Sequence, residues 1–187
     1  MARKRKPKME YRYYEIPAGS PVLALLGDKW VQNYGRDIDY LHFHNHLEVG
    51  FCYYGEGTVT FKEDIPFDGN MFTVIPKNFP HTTTSAGDSV SYWEWLFIDA
   101  DKFLREVYKD NPRMAQKVLD RVNRRAHFVR VQDKPQIGAL VQQIIGCMRE
   151  RKEFYLEEVK GLTLALLLQV ARWNREEAEK AEFEAEN

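Results

Sequence analysis

The sequence predicts an α+β protein in which a β-rich front half, folded as a barrel or sandwich, precedes a helical segment. Two observations carry this prediction. From residue 11 to residue 99, short apolar or alternating runs are separated by Gly, Pro, Asn and Asp, with no helical pattern between them. Beyond residue 99, apolar residues recur at helical spacing. The length of 187 residues suits one domain, or one domain with an appendage.

The front half is predicted to contain eight strands. The short segment Gly55–Gly57 joins two of them as a tight hairpin. The predicted strands are Tyr11–Ile16, Val22–Leu26, Tyr40–His44, Leu47–Tyr54, Thr58–Lys62, Met71–Ile75, His81–Thr84 and Val90–Ile98.

The back half, residues 100–187, is predicted to contain at least two helices. Apolar residues from Ile137 to Met148 fall on one helical face, and Pro135 lies near the start of that helix. A longer helix begins near Glu153 and continues into the Glu-rich end. Its centre, Leu164–Leu168, is apolar nearly all round, so one partner surface cannot cover it. The centre is either sandwiched within the domain or packed against a second copy, which predicts a homodimer through the C-terminal helices.

Composition excludes several classes of protein. Apolar residues make up 44% and charged residues 29%, which excludes a disordered chain, a collagen-like repeat and a disulfide mini-scaffold. The longest mostly apolar stretch, Leu162–Ala171, is shorter than the roughly 20 residues that span a bilayer. No apolar run follows the basic start, so it is not a secretion signal. Cys52 and Cys147 form no C-x-x-C motif. We expect a cytoplasmic protein with no membrane partner.

The charges are unevenly distributed along the chain. Residues 1–8 carry five positive charges, and residues 1–10 are predicted to be a basic tail. Residues 175–187 carry a net charge of −4. A basic run can bind phosphates, but a short tail without aromatic residues is usually just a solvated segment.

Three histidines and one carboxylate form the strongest chemical pattern. His42 and His44 are two positions apart, so both point to the same face of a strand. Glu48 can join them from the next strand, and His81 arrives after a later strand and turn. This donor set suits zinc, iron, nickel or manganese, so one divalent transition metal is the expected cofactor. The alternative is a hydrogen-bonded cluster without metal. His46 is expected in the turn, outside the site.

The spacing of these residues resembles the two motifs of cupin barrels. In the first motif, Glu48 follows His44 after three residues and Gly55 follows Glu48 after six. In the second, Pro76–His81 keeps the family's spacing, with Asn78 at a glycine position. Asn tolerates the left-handed backbone that glycine would adopt, so this substitution fits the turn. Asn70 takes the leading glycine position in the same way.

The first motif departs from the family in one place, because Gly35 lies six residues ahead of His42 where the family has five. In the second motif, Ser85 replaces the final Asn.

A finer resemblance covers nearly the whole chain and points to AraC-type transcriptional regulators. It is carried by Tyr14–Pro17, Ala24–Trp30, Leu41–Asn45, Glu48–Gly57, Ile75–Ser85 and Trp93–Asp99.

In that family a cupin-like sensing barrel is followed by dimerisation helices and then by a DNA-binding segment with two helix-turn-helix motifs. The resemblance therefore implies a cupin-like β-barrel (jelly roll) over residues 11–99. It also implies a helical dimerisation segment and linker over residues 100–187. The chain ends where the DNA-binding segment is expected to begin, so any contact with DNA would be made by that absent domain.

Aromatic residues near the predicted site are candidates for ligand binding. Tyr54, Trp93 and Trp95 offer flat faces to a small molecule such as a sugar, and Glu94 can supply hydrogen bonds. Alternation along a strand places Trp93 and Trp95 on one face and Glu94 on the other. The alternative is that the rings form the packed core of the sheet.

Three functions follow from these observations. The first is a ligand-sensing and dimerisation domain of an AraC-type transcriptional regulator, which is not an enzyme and whose partner is a small-molecule effector. The second is a stand-alone metal-dependent cupin enzyme of the isomerase or dioxygenase type, with the metal as Lewis acid. The third is a barrel whose only task is to pair subunits.

Overall fold

The computed structural model describes residues 8–186 of the chain. The strands are β1 Met9–Arg12, β2 Val22–Leu25, β3 Val31–Gln32, β4 Leu41–His44, β5 Leu47–Tyr54, β6 Gly57–Thr60, β7 Asp64–Phe67, β8 Met71–Ile75, β9 Thr82–Ser85, β10 Ser91–Ile98 and β11 His127–Arg130. The helices are α1 Ala100–Val107, α2 Pro112–Val122, α3 Pro135–Glu150 and α4 Tyr155–Glu186.

A central sheet of six strands organises the fold. Its strands run in the order β11–β8–β5–β10–β2, and β3 pairs with the far end of β10. The two longest strands, β5 and β10, are antiparallel neighbours. A second sheet has the order β7–β6–β9, and β1 pairs in parallel with β4. A single bridge between His42 and His81 connects β4 to the start of β9.

The two faces of the central sheet pack against different partners, because side chains alternate along each strand. Toward the helices, β5 and β10 present fully buried apolar side chains such as Val49 and Leu96. On the other face, Trp93 and Trp95 pack with residues of the three-stranded sheet, including Val59. The protein thus has two apolar cores, one under the helices and one between the sheets.

The α+β class is confirmed, but the predicted closed barrel is not observed in residues 8–186. The strands form three separate sheets, arranged as an open sandwich. The contact between β4 and β9 is one isolated bridge and not a ladder, so hydrogen bonding does not run continuously around the structure.

Most predicted strands are present, and β5 and β8 have the predicted bounds. The first strand begins earlier than predicted, at Met9, so the end of the predicted basic tail belongs to β1. Residues 1–7 of that tail lie outside the described residues. Three strands were not predicted: the short β3, and β7 and β11. Pro66 lies in β7, where it is tolerated because β7 is an edge strand of the small sheet.

Side-chain caps mark the starts of α1 and α2, two helices that were not predicted individually. Asp99 accepts a hydrogen bond from the backbone N–H of Lys102, and Asn111 accepts one from Met114. The predicted helix at Pro135 is confirmed as α3, and the longer one as α4.

Part of the apolar centre of α4 is buried within the domain. The helix packs against α2 and α3, and Leu166 and Leu167 are fully buried. A charge at either leucine would therefore disturb the core of the chain.

Among residues 8–186, none of the helices combines the length and the apolar character that a membrane span requires.

His127 ties β11 to the helices. Its Nε2 contacts the amide oxygen of Asn174 on α4, and its ring stacks on Trp173 with the centroids 3.6 Å apart. The amide nitrogen of Asn174 donates in turn to the backbone oxygen of Arg121 at the end of α2, at 2.7 Å. Burial lowers the pKa of His127, so the neutral ring is the form that the fold holds.

We expect the free energy of unfolding to decrease as the pH falls below about 6.5, the ordinary pKa of histidine. The pKa of His127 is lower in the folded protein than in the unfolded chain, so the unfolded chain binds the proton first. Urea unfolding between pH 8 and pH 5 measures this effect. The variant His127→Gln should show a weaker pH dependence, and identical curves for the two proteins would contradict the assignment.

Candidate functional site

Four side chains that the sequence places apart converge at one end of β4 and β5. β4 carries His42 and His44, β5 carries Glu48, and His81 directly precedes β9. All four are buried, with Glu48 only 3% exposed. Their potential ligand atoms all lie within 4.8 Å of one another. The structure thus brings together the four residues that the spacing selected.

Backbone contacts explain why these residues meet. His42 and His81 exchange two N–H···O hydrogen bonds of 2.9 Å, which fixes the start of β9 beside β4. The backbone N–H of Asn78 donates to the backbone oxygen of His44 at 2.8 Å, which anchors the preceding turn. Asn78 has a φ of 60° and Asn70 a φ of 50°, so both asparagines adopt the left-handed backbone predicted for them.

Backbone oxygens fix the orientation of two of the imidazole rings. Nδ1 of His44 lies 2.9 Å from the backbone oxygen of His46, and Nδ1 of His81 lies 2.8 Å from that of Phe79. Each Nδ1 therefore carries the proton and donates it to the carbonyl. This leaves Nε2 of both rings facing Glu48, which is the arrangement typical of metal-binding histidines.

The charge of Glu48 is balanced within the cluster. Burial by itself would raise the pKa of Glu48, but His81 and His44 hold it well below its usual range, so the carboxylate is ionised. Burial opposes protonation of His44, yet Glu48 raises the pKa of that ring above its usual value. Burial, reinforced by His81, lowers the pKa of His42 to about 3, so this ring stays neutral.

Three polar atoms of the cluster lack a hydrogen-bond partner among residues 8–186. They are Nε2 of His44, Nε2 of His81 and Oε1 of Glu48. Oε2 of Glu48 is 2.9 Å from Nε2 of His44, a distance that suits an ion pair, but the atoms are not aligned for a hydrogen bond. Unpaired buried polar atoms are costly, and a shared cation would satisfy them. The residues therefore fit a divalent transition metal with mixed nitrogen and oxygen ligands.

A cavity of about 260 Å³ opens beside the cluster. Glu48, His42 and His81 line one part of it. Its walls include Trp30, Tyr34 and Trp95, and its polar lining includes Arg12, Gln32 and Thr83.

Gly50 makes room for one of these walls. A Cβ at that position would come within 2.5 Å of the ring of Trp95. The absence of a side chain at Gly50 therefore lets the indole of Trp95 pack closely against β5.

The candidate ligand residues are divided between the two faces of the central sheet. Trp95 lines the cavity, but Trp93 does not. The two indole rings are nearly parallel, with their centroids 5.0 Å apart. Glu94 points to the opposite face, as the alternation predicts, where its carboxylate binds Arg149 at 2.5 Å. Tyr54 is 49% exposed and does not line the cavity either.

Other functional candidates were missed by the sequence reasoning. Arg12, Gln32 and Tyr34 line the cavity, but each stands in a short or irregular segment with no motif of its own. Only the folded chain brings these segments to the cluster. His46 contacts Asn45 through its Nε2 and stays outside the cluster, as expected.

A larger cleft lies elsewhere in the molecule. It has a volume of about 720 Å³ and runs between residues 13–21, α1 and α4. None of the four cluster residues lines it. The smaller cavity is the better candidate site because the chemically distinctive side chains converge there.

We expect wild-type protein to bind about one equivalent of Zn²⁺ or Mn²⁺ per chain. The variant His81→Ala should lose affinity by at least about 10- to 100-fold, the range for loss of an outer partner alone. The matched control is His46→Ala, which removes a neighbouring histidine outside the cluster and should bind normally. Calorimetry and elemental analysis measure both, and equal affinity in the two variants would contradict the metal assignment.

Comparison with known proteins gives similar solved structures but no family. No family model matches the sequence, and no curated protein does. The chain is similar to ToxT from Vibrio cholerae O395, with 13% identity and a TM-score of 0.48, over 82% of this chain and 54% of that one. An apo variant of ToxT from Vibrio cholerae strain SCE256 gives 13% identity and a TM-score of 0.49, over 87% and 59%.

The AraC-like transcriptional activator CuxR gives 14% identity and a TM-score of 0.41, over 70% of this chain and 42% of that one. The chain thus spans about half the length of the structures that it matches.

Proposed function

We propose that the chain is the ligand-sensing domain of an AraC-type transcriptional regulator and binds a small molecule in the cavity beside the histidine cluster. The observation that carries this proposal is the cavity itself, which combines aromatic walls with a few convergent polar groups. The motif resemblance supplies the regulatory context. DNA binding would belong to a further domain.

The strand β10 offers a route by which a bound molecule would influence the helices. Trp95 faces the cavity, whereas the preceding residue, Glu94, is fully buried on the helical side and binds Arg149 near the end of α3. The hydroxyls of Tyr53 and Tyr92 also donate to Glu94, at 2.6 and 2.8 Å. A ligand that binds two arrangements of this strand with different affinity would shift the population of the helices.

The metal, in this proposal, anchors the ligand. His42, His44, Glu48 and His81 would hold it, and it would supply a Lewis-acidic binding point for an oxygen of the effector. The side chains of the cavity would orient the remainder of the molecule.

A screen of small molecules and metals by thermal unfolding tests the sensing proposal. A ligand at 100 times its Kd should stabilise the protein by about 2.7 kcal/mol. For a domain of this size the Tm should rise by about 5 to 10 °C. Silence across a broad screen would contradict ligand sensing.

Intrinsic fluorescence locates the binding event. Trp30 lines the cavity. Trp173 does not line the cavity and stacks on His127 instead. The variant Trp30→Phe should reduce the change in fluorescence on ligand binding. Trp173→Phe should retain it.

Homodimerisation through α4 is a second part of the proposal. Leu164 and Leu168 are one helical turn apart and only partly buried, in contrast to the fully buried Leu166 and Leu167. They are therefore the apolar residues at the centre of α4 that a second copy would cover.

We expect the double variant Leu164→Lys with Leu168→Lys to be monomeric in light scattering, because two lysines would place charges in the interface. The control Gln143→Lys adds a lysine to the exposed side of α3 and should leave the dimer intact. A dimer in both proteins would place the contact elsewhere.

A metal-dependent cupin enzyme is the second candidate function, and the complete set of three histidines and one carboxylate favours it. Elemental analysis followed by alanine substitution of His44 and His81 discriminates the two. A metal-free protein whose fold and ligand response survive the double substitution eliminates the enzyme. Loss of the metal together with loss of a turnover activity would support it.

A further inference from the structure

The charged groups around the cavity are unequal in sign. Arg12, Arg36 and Glu48 line it. The carboxylate of Glu48 already faces His44 and His81, with its oxygens 2.9 and 3.5 Å from their Nε2 atoms. Glu10 and Asp88, which pair with Arg12 and Arg36, do not line the cavity. The charged side chains of the lining itself are therefore two guanidinium groups and one carboxylate, and a negatively charged ligand would be complementary to this lining.

Arg12 is the cation best placed to act on a bound molecule. It lies on β1 opposite His44 of β4 in the parallel register, which brings it to the level of the cluster. Its side chain is 32% exposed, whereas that of Arg36 is 60% exposed and pairs with Asp88 at 3.0 Å. Arg36 is thus held at the solvent side of the rim.

Glu10 holds Arg12 in place. Nε of Arg12 donates to one oxygen of Glu10 at 2.6 Å, and the hydroxyl of Tyr40 donates to the other oxygen at 2.8 Å. Arg12 and Glu10 are two positions apart on β1, so they share one face of the strand. The contact with Glu10 uses only Nε of the three guanidinium nitrogens. The planar fork of a guanidinium group matches the geometry of a carboxylate.

The size of the cavity narrows the choice of ligand further. A volume of about 260 Å³ lies just below the range of roughly 300 to 1,000 Å³ that is usual for small-molecule sites, so the ligand would be small. The rings of Trp30, Tyr34 and Trp95 would contact the apolar part of such a molecule. A neutral sugar would bring no negative charge to Arg12, which would keep Glu10 as its counter-charge.

We infer that the cavity binds a small organic anion, with its carboxylate or equivalent group on Arg12 and its body against the aromatic walls. This inference rests on the proposed function, since it names the chemical class of the effector. Arg12 is a specificity-determining residue in this scheme, and Glu10 is the positioning residue that competes with the ligand for it.

The test is calorimetric titration of the full chain with matched probes. Benzoate, pyruvate and malate are the anions, and benzamide and xylose are the uncharged comparisons. Each titration is run once with a chelator and once with added Zn²⁺, which separates the contribution of Arg12 from that of the metal. We expect at least one anion to bind, and the uncharged probes to bind at least about tenfold more weakly.

Three variants of the charged residues sharpen the result. Arg12→Gln should weaken anion binding by about 10- to 150-fold, the range for losing a charge-assisted hydrogen bond. Glu10→Gln should strengthen it, because the competing carboxylate is gone, and this variant keeps the test decisive if Arg12→Gln does not fold. The control Arg36→Gln removes an exposed cation and should change the affinity by no more than about fivefold.

The outcomes separate this inference from the proposed function. Equal binding of benzoate and benzamide, an unchanged affinity in both Arg12→Gln and Glu10→Gln, or anion binding that needs Zn²⁺ and ignores Arg12 would overturn the inference. So would silence of every anion while uncharged molecules bind; in all these cases the sensing proposal survives. Silence of every compound in the broad thermal screen would overturn both.

Discussion

An ionised carboxylate buried between two sheets is the constraint on which the candidate site depends. Glu48 is 3% exposed, and a buried charge is tolerated only when opposite charge and hydrogen-bonding groups surround it. His44 and His81 meet that requirement from two separate segments. β4, β5 and the turn before β9 converge at this point, and three of the four cluster residues also line the cavity. One electrostatic condition thus connects this part of the fold to the site.

The central sheet separates the cavity and the histidine cluster on one of its faces from the helices on the other. On β10, Trp95 and Phe97 face the cavity, whereas Glu94 and Leu96 face the helices. Because the strand is stiff and its residues alternate, a displacement of the cavity wall is also a displacement of the groups that α3 contacts. In the proposed function, this single strand shared by two cores would connect occupancy of the cavity to the arrangement of the helices.

Local patterns predicted those parts of the structure that local physics dominates. β5 and β8 are long apolar strands between turn residues, and both have their predicted bounds. Pro135 marks the start of α3 because proline is well tolerated in the first helical turn. β7 was missed because Pro66 argues against a strand, yet an edge position needs no N–H from it. Asp99 and Asn111, the N-caps of α1 and α2, are residue types that favour the start of a helix. Both helices are short, however, and a helix is predicted with most certainty from a long apolar pattern at helical spacing.

The sequence by itself determined that a strand-rich half precedes a helical half, the left-handed turns at asparagine, and the identity of the four clustered side chains, because spacing and backbone preference act over a few residues. Only the tertiary structure decided that the sheets stay open, that Leu166 and Leu167 of α4 are covered within the chain, and that Arg12 reaches the cavity while Glu94 meets Arg149. Those outcomes depend on which distant surfaces pack together. Side-chain periodicity assigns a residue to a face of its own strand, and it carries no information about what that face will meet.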